Sequence, residues 1–196
     1  MLILASQSAA RQSLLAGAGL KFESSPALID ERALEAAGLG KPSEAVARAL
    51  AEAKALSVSA LRPADWVIGA DQMLDLAGER LHKPPDLAAA RAQLWALRGR
   101  THALHSGIAL ARHGAIVWST VESARLTMRA FSAGDLDAVL AAEGTALLGA
   151  VGSYRLEGPS IGLFERLEGD YFTILGLPLL PLLAALRQFA PTERFT

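Results

Sequence analysis

Ser6, Ser8 and Arg11 follow directly on the apolar run Leu2-Ile-Leu-Ala5 and precede Leu14-Leu15. An apolar strand that runs into a small-residue loop and then opens a helix leaves unpaired N–H groups and a partial positive charge at the helix start, and both favour an anion. A guanidinium in that first turn adds a forked donor matched to phosphate oxygens. The same residues also fit an ordinary first strand–helix unit with serine caps. Asp71 closes a second apolar run, Trp66-Val-Ile-Gly-Ala-Asp71. A carboxylate at the end of a buried strand stands where open α/β sheets place ligands, and there it can serve as a general base or bind a hard divalent cation. Its plainer use is to cap the next turn.

Lys54 shares one helical stripe with Val46 and Leu50 at four-residue steps, flanked by Ala49 and Ala53. An ammonium on a face that should be buried either snorkels along the core edge or points into a polar cleft. Lys83, in Leu81-His-Lys-Pro-Pro85, precedes a helix start. It can meet an anion there or remain a solvated loop lysine. Glu31, in Ile29-Asp-Glu31, is a second candidate oxygen ligand, or a surface acid. The histidines make no metal pattern, because His102 and His105 stand three apart in a β-rich run and point to opposite faces. H-E-x-x-H, G-x-S-x-G, Walker A and G-x-G-x-x-G are all absent. A phosphate site in this chain must therefore be of another kind. Trp66, Trp95 and Trp118 are scattered and read as core or contact residues rather than a base-stacking platform.

These side chains need a scaffold, and the patterning predicts one. A strand spans residues 2–5, and a helix over 11–18 is stopped by Gly17 and Gly19. Residues 22–31 read as irregular or extended. A second helix begins at Pro42-Ser43-Glu44 and runs to about residue 59. The strand at 66–71 ends with Asp71 at the sheet edge, and a turn at 75–79 contains Gly78. Pro84-Pro85 start a helix over 86–98, closed by Gly99. Two β-rich runs, 102–112 and 115–128, meet in a hairpin at His113-Gly114. Ser132-Ala-Gly-Asp135 is a capping-box start for a helix ending at Gly144. The glycine-rich stretch 149–169 reads as a wrapping around a site, and a last helix covers 178–189. Strands alternating with helices, followed by a hairpin, predict α/β with a mixed twisted sheet and flanking helices.

Bulk properties narrow the classes. The 196 residues suit one globular domain, 1–196, and 52% hydrophobic against 20% charged residues argues against disorder. A net charge of −1 gives no electrostatic case for nucleic acid. With no cysteine, disulfides, zinc–thiolate sites and a Cys nucleophile are excluded. No secretory leader is legible at the start, so a cytoplasmic location is the expectation. The apolar stretch 172–186 contains Pro178 and Pro181 and is shorter than the roughly 20 residues a span needs. No membrane association is expected. The Ala-rich helices allow a homodimer.

In this order the pieces resemble the Maf family of nucleotide pyrophosphatases over essentially the whole chain. The carriers are Ala5-Ser-Gln-Ser-Ala-Ala-Arg-Gln-Ser-Leu-Leu15, Asp30-Glu31, Leu50-Ala-Glu-Ala-Lys-Ala55, Gly69-Ala-Asp-Gln72, Lys83-Pro84, Gly152-Ser-Tyr-Arg-Leu-Glu-Gly158 and Gly176-Leu-Pro178. The resemblance implies two lobes around a central cleft, in an inosine triphosphatase-like arrangement. It also implies hydrolysis of a nucleoside triphosphate to monophosphate and pyrophosphate. Arg11, Lys54 and Lys83 would then neutralise the polyphosphate, and Ser6 and Ser8 would cradle it. Glu31 and Asp71 would hold Mg²⁺ or Mn²⁺, with Asp71 activating water. Glu157 would read the base. Gln72, Glu157 and residues 161–169 resemble the branch that favours 7-methyl-GTP, while Ala9 and Ala10 depart from the family's loop and leave Arg11 as its single clear cation. The competing expectation, from the family's link to septum formation, is a nucleotide-binding regulator of cell division without significant catalysis.

Overall fold

The computed structural model of the chain describes residues 1–38 and 40–192. Its elements are β1 (Leu2–Leu4), α1 (Ala9–Gly17), β2 (Glu23–Ser24), α2 (Glu31–Ala37), α3 (Ser43–Leu61), β3 (Trp66–Leu76), β4 (Glu79–Leu81), α4 (Leu87–Leu97), β5 (Thr101–Arg112), β6 (Ala115–Met128), α5 (Ala133–Glu143), β7 (Phe164–Glu168), α6 (Tyr171–Ile174) and α7 (Leu179–Phe189). Short 3₁₀ turns occupy Gly144–Gly149, Val151–Ser153 and Pro159–Leu163. The strands follow the path β2-β1-β3-β5-β6-β7, with β4 on β3. β1 runs parallel to β2 and β3, whereas β3–β4 and β6–β7 are antiparallel. The expected α/β class with a mixed sheet is what the chain adopts.

The chain divides into two compact units: residues 1–72, 105–123 and 170–196 form the first, and 73–104 and 124–169 the second. In the first, Leu2 and Leu4 of β1, Ile68 and Ala70 of β3, and Ile108 and Leu110 of β5 pack with Leu15 of α1 and Leu179, Leu182 and Leu186 of α7. The alternate residues Ile3, Val67, Ala109 and Ala111 pack with Ala51, Ala55 and Val58 of α3. This is the period-2 logic of strands covered on both faces. α3 lies unusually close to the strands at two glycines. A Cβ on Gly69 would stand 2.0 Å from the Ala51 carbonyl oxygen, and one on Gly107 would stand 2.3 Å from that of Ala47. In the second unit, Leu74 pairs with Leu81, and Asp86 caps α4 by accepting from the Ala89 N–H. There Ser132 and Asp135 form the expected capping box of α5.

Several expected boundaries shift. α1 starts at Ala9 rather than residue 11, because Ser8 is the cap and accepts from the Arg11 N–H. Residues 22–30 are irregular or extended as expected, with the two-residue strand β2 among them, and the unexpected helix α2 starts at Glu31, capped by Asp30. β3 does not end at Asp71 but continues to Leu76, and it lies between β1 and β5 rather than at an edge. The hairpin at His113-Gly114 forms with positive φ at both residues (53° and 72°), the geometry a two-residue turn requires. Among the described residues no helix is long and apolar enough to cross a membrane.

Candidate active site

Asp71 projects from β3 on the same face as Gly69, two residues earlier, where α3 presses against the sheet. That close approach brings Lys54, one residue before Ala55, against the carboxylate. Lys54 Nζ donates to Asp71 Oδ1 at 2.7 Å and reaches Glu31 Oε2 at 3.0 Å. Lys54 and Asp71 side chains are each 9% exposed, whereas Glu31, at the first turn of α2, is 55% exposed. Lys54 is thus neither a snorkelling lysine nor a solitary cation. One ammonium joins two carboxylates, one inside and one at the surface.

Arg11 reaches the same group from α1. Its Nε donates to the Gly176 carbonyl at 2.8 Å, and its Nη1 donates to the Ala70 carbonyl at 2.9 Å and the Ser6 hydroxyl at 3.3 Å. Nη2 makes no hydrogen bond among the described residues. Ser6 Oγ also accepts from the Ser8 N–H, and Ser8 Oγ caps α1. The expected phosphate loop therefore folds as a ring of local bonds with one guanidinium nitrogen to spare.

The charges interact. Burial pushes the Asp71 carboxyl above its ordinary range; Lys54 and Arg11 pull it down, and Glu31 adds to the rise. Burial likewise lowers Arg11, opposed by Asp71 and Glu31, yet a guanidinium stays charged at any physiological pH. A carboxylate with a raised pKa, held by a lysine and facing an arginine, suits proton abstraction near neutral pH. Asp71 and Glu31 are two hard oxygen donors, and among the described residues no group of three or more acidic, His or Cys side chains is set to hold a metal. Two carboxylates fit Mg²⁺, which commonly takes one or two protein carboxylates and completes its shell with water and substrate phosphates.

The first unit brings together Ser6, Ser8, Arg11, Glu31, Lys54 and Asp71. Lys83 and Glu157 belong to the second unit, and both are exposed. Lys83 lies between β4 and α4. Glu157 sits in a loop whose Ser160 donates through backbone N–H and hydroxyl to Glu143 Oε1. Sequence reasoning did not single out Ser106 or a structural use for Gln72. Gln72 Nε2 donates to Ser106 Oγ at 3.0 Å, the Thr173 carbonyl at 3.2 Å and the Ile174 carbonyl at 3.0 Å. Ser106 is fully buried. A serine in the predicted strand 102–112, just before the apolar residues 108–111, was the available signal.

An α/β chain with a buried Lys–Asp pair, a surface Glu and a restrained arginine at the first strand–helix turn has the makings of an anion-handling enzyme. The model of the Maf family, described as Maf-like protein, matches residues 1–189, and the chain belongs to that family. It is 54% identical over 187 residues to a nucleoside triphosphate pyrophosphatase of Nitrobacter winogradskyi, covering 95% of this chain and 92% of that protein. It is 50% identical over 189 residues to a 7-methyl-GTP pyrophosphatase of Brucella abortus, covering 95% of each. A 7-methyl-GTP pyrophosphatase of Mesorhizobium japonicum is 52% identical over 188 residues, covering 95% of this chain and 94% of that one.

Proposed function

We propose that this chain hydrolyses nucleoside triphosphates between the α and β phosphates, releasing a monophosphate and pyrophosphate. The observation that carries the reading is Asp71: a buried carboxylate with its pKa raised, bonded to Lys54, which itself reaches Glu31. Relatives at 50–54% identity over 95% of the chain bear pyrophosphatase names, which supports the same chemistry here.

In this reading Asp71 orients a water and takes its proton as the oxygen attacks phosphorus. Lys54 stabilises the carboxylate before transfer and offers its ammonium to phosphate oxygens afterwards. Arg11 meets the polyphosphate with its spare Nη2, and Ser6 and Ser8 line that approach. Lys83 contributes a further cation for the leaving pyrophosphate. Mg²⁺ or Mn²⁺, held by Asp71 and Glu31 together with substrate phosphates, would supply charge neutralisation. Glu157 reads the base, since a carboxylate accepts from guanine N1–H and N2–H₂, and the 7-methyl-GTP names of two relatives support a purine of that kind. The substrate is thus a free nucleotide, with 7-methyl-GTP the first candidate.

The test is pyrophosphate release from 7-methyl-GTP, UTP, dTTP and the four common ribonucleotides with Mg²⁺ or Mn²⁺. Asp71→Asn should keep the fold and lose at least about 10²-fold in kcat, the usual scale for a removed general base. Turnover that survives in the variant removes Asp71 from the role. No turnover on any nucleotide leaves a binding protein, the regulator of cell division that the family's history suggests.

A further inference from the structure

On the face of β3 opposite Asp71, the next residue, Gln72, spends its amide on three acceptors: Ser106 Oγ, the Thr173 carbonyl and the Ile174 carbonyl. Ser106, on β5, passes the contact on by donating its hydroxyl to the Thr173 carbonyl at 2.8 Å. Thr173 also takes the Gly176 N–H at 3.0 Å, so one carbonyl oxygen receives three donors. At its other end α6 is closed by Asp170, which accepts from the Thr173 N–H at 2.8 Å. α6 is only four residues long and has little helical stability of its own. Side-chain bonds from β3 and β5, together with Phe172 packed on the core and the buried Ile174, therefore hold it in place. Directly after it, Gly176 turns the chain with φ +90° and presents the carbonyl that receives Arg11 Nε at 2.8 Å. The three groups meet here: a Cβ on Gly176 would be in ordinary contact with both side chains, 3.4 Å from Gln72 Oε1 and 3.6 Å from Arg11 Nε.

We propose that Gln72 and Ser106 are positioning residues: through α6 and the Gly176 carbonyl they set the orientation of Arg11 and so the affinity of the site for polyphosphate. This rests on the reading of Arg11 as a phosphate ligand. The device answers a physical problem. Arg11 is the loop's single cation, Nε and Nη1 are committed to backbone, and Nη2 alone remains for a ligand. A forked donor keeps its directional advantage only if its plane is held. A drift of the Gly176 carbonyl would rotate that plane.

The experiment is a double-mutant cycle read by calorimetric affinity for inorganic pyrophosphate with Mg²⁺, using the full chain. Gln72→Met keeps the volume and removes the amide, and it should weaken pyrophosphate binding by about tenfold, the scale of one good hydrogen bond. In an Arg11→Met background the same change should cost nothing, because the residue through which it acts is gone. Should Gln72→Met unfold, Ser106→Ala takes its place in the cycle, with Ser106→Thr, which keeps the hydroxyl, restoring affinity. An equal loss in both backgrounds, or a pyrophosphate affinity that Gln72→Met leaves intact, overturns the latch while leaving the functional reading standing. An unaltered chain that neither binds pyrophosphate nor releases it from any nucleotide overturns both.

Discussion

Asp71 shows how one residue's chemistry depends on its placement. Removing it from water raises its pKa, and Lys54 at 2.7 Å limits the rise, so the group stays ionisable where a proton acceptor is useful. Breaking such a pair by deleting either partner leaves a buried charge uncompensated, the costly case. His102 shows burial acting with no opposing charge. It is 2% exposed, its Nε2 lies 2.8 Å from the Tyr154 hydroxyl, and its Nδ1 has no partner among the described residues. Burial lowers its pKa from 6.5 to about 4. The native state thus prefers neutral His102. Between about pH 6.5 and about 4 the unfolded chain binds the proton that the folded one refuses, so stability is full above that window and falls as the pH drops through it. The loss approaches ~3 kcal/mol at most. Thermal melts from pH 7 to 4 should show this decline in the unaltered chain and a shallower one in His102→Gln. Equal slopes would mean that other groups govern acid stability. The sequence placed His102 and His105 on opposite faces, and their partners differ accordingly, Tyr154 for one and Ser123 for the other. What it could not supply was the partner's identity, since Tyr154 is 52 residues away.

Elements held together by local chemistry were legible, and elements held only by tertiary contact were not. The capping box at Ser132 and the His113-Gly114 turn each rest on a few neighbouring residues. α2 has no buried residue and β7 reads Phe-Glu-Arg-Leu-Glu with four of its five residues exposed, so neither carries a hydrophobic period to detect. β3 misled for a different reason. Asp71 and Gln72 interrupt an apolar run and look like its end, but the carboxylate is paired with Lys54 and the amide with Ser106, which lets polar residues continue a buried strand. The six site residues of the first unit were all named from sequence, whereas the Gln72–Ser106–Thr173 connection, spanning 101 residues from Gln72 to Thr173, was not. The seating of α3 on the strands is likewise invisible without coordinates, although its glycines are plain. Gly69→Ala and Gly107→Ala would each drive a methyl into α3 backbone, at 2.0 Å and 2.3 Å from carbonyl oxygens. Backbone cannot step aside as a side chain tip can, so each should cost about 3 kcal/mol or more. Gly69→Ala should also lower kcat, by lifting Lys54 from Asp71. Gly17→Ala is the control, since a Cβ there meets nothing within 4 Å. Denaturant midpoints for the three variants decide the matter, and equal midpoints would mean that α3 is free to shift.

At the scale of the whole molecule the connectivity sets the constraint. The chain leaves the first unit after Gln72, returns at His105, leaves again after Ser123 and returns at Asp170. Neither unit is a continuous segment, and the first is completed only by its last stretch. Leu177, Leu179, Leu182 and Leu186 enter the core built on Leu2, Leu4, Ile68 and Ile108. At roughly 1.5–3 kcal/mol for each large apolar side chain buried, these four leucines contribute an amount comparable to the ~5–15 kcal/mol by which a native domain is stable at all. The same stretch carries the Gly176 carbonyl on which Arg11 hangs. A fragment of residues 1–169 should therefore fail twice: far-ultraviolet dichroism should show lost structure without a cooperative melt, and pyrophosphate should not bind. Two point variants on α7 separate core burial from mere presence of the helix. Leu182 is fully buried and Leu180 is 59% exposed, so Leu182→Ser should unfold the chain or lower its midpoint steeply, while Leu180→Ser should change it little. A 1–169 fragment that melts cooperatively and binds pyrophosphate would show that the first unit closes without α7, and that Arg11 finds its orientation from Ala70 and Ser6 alone.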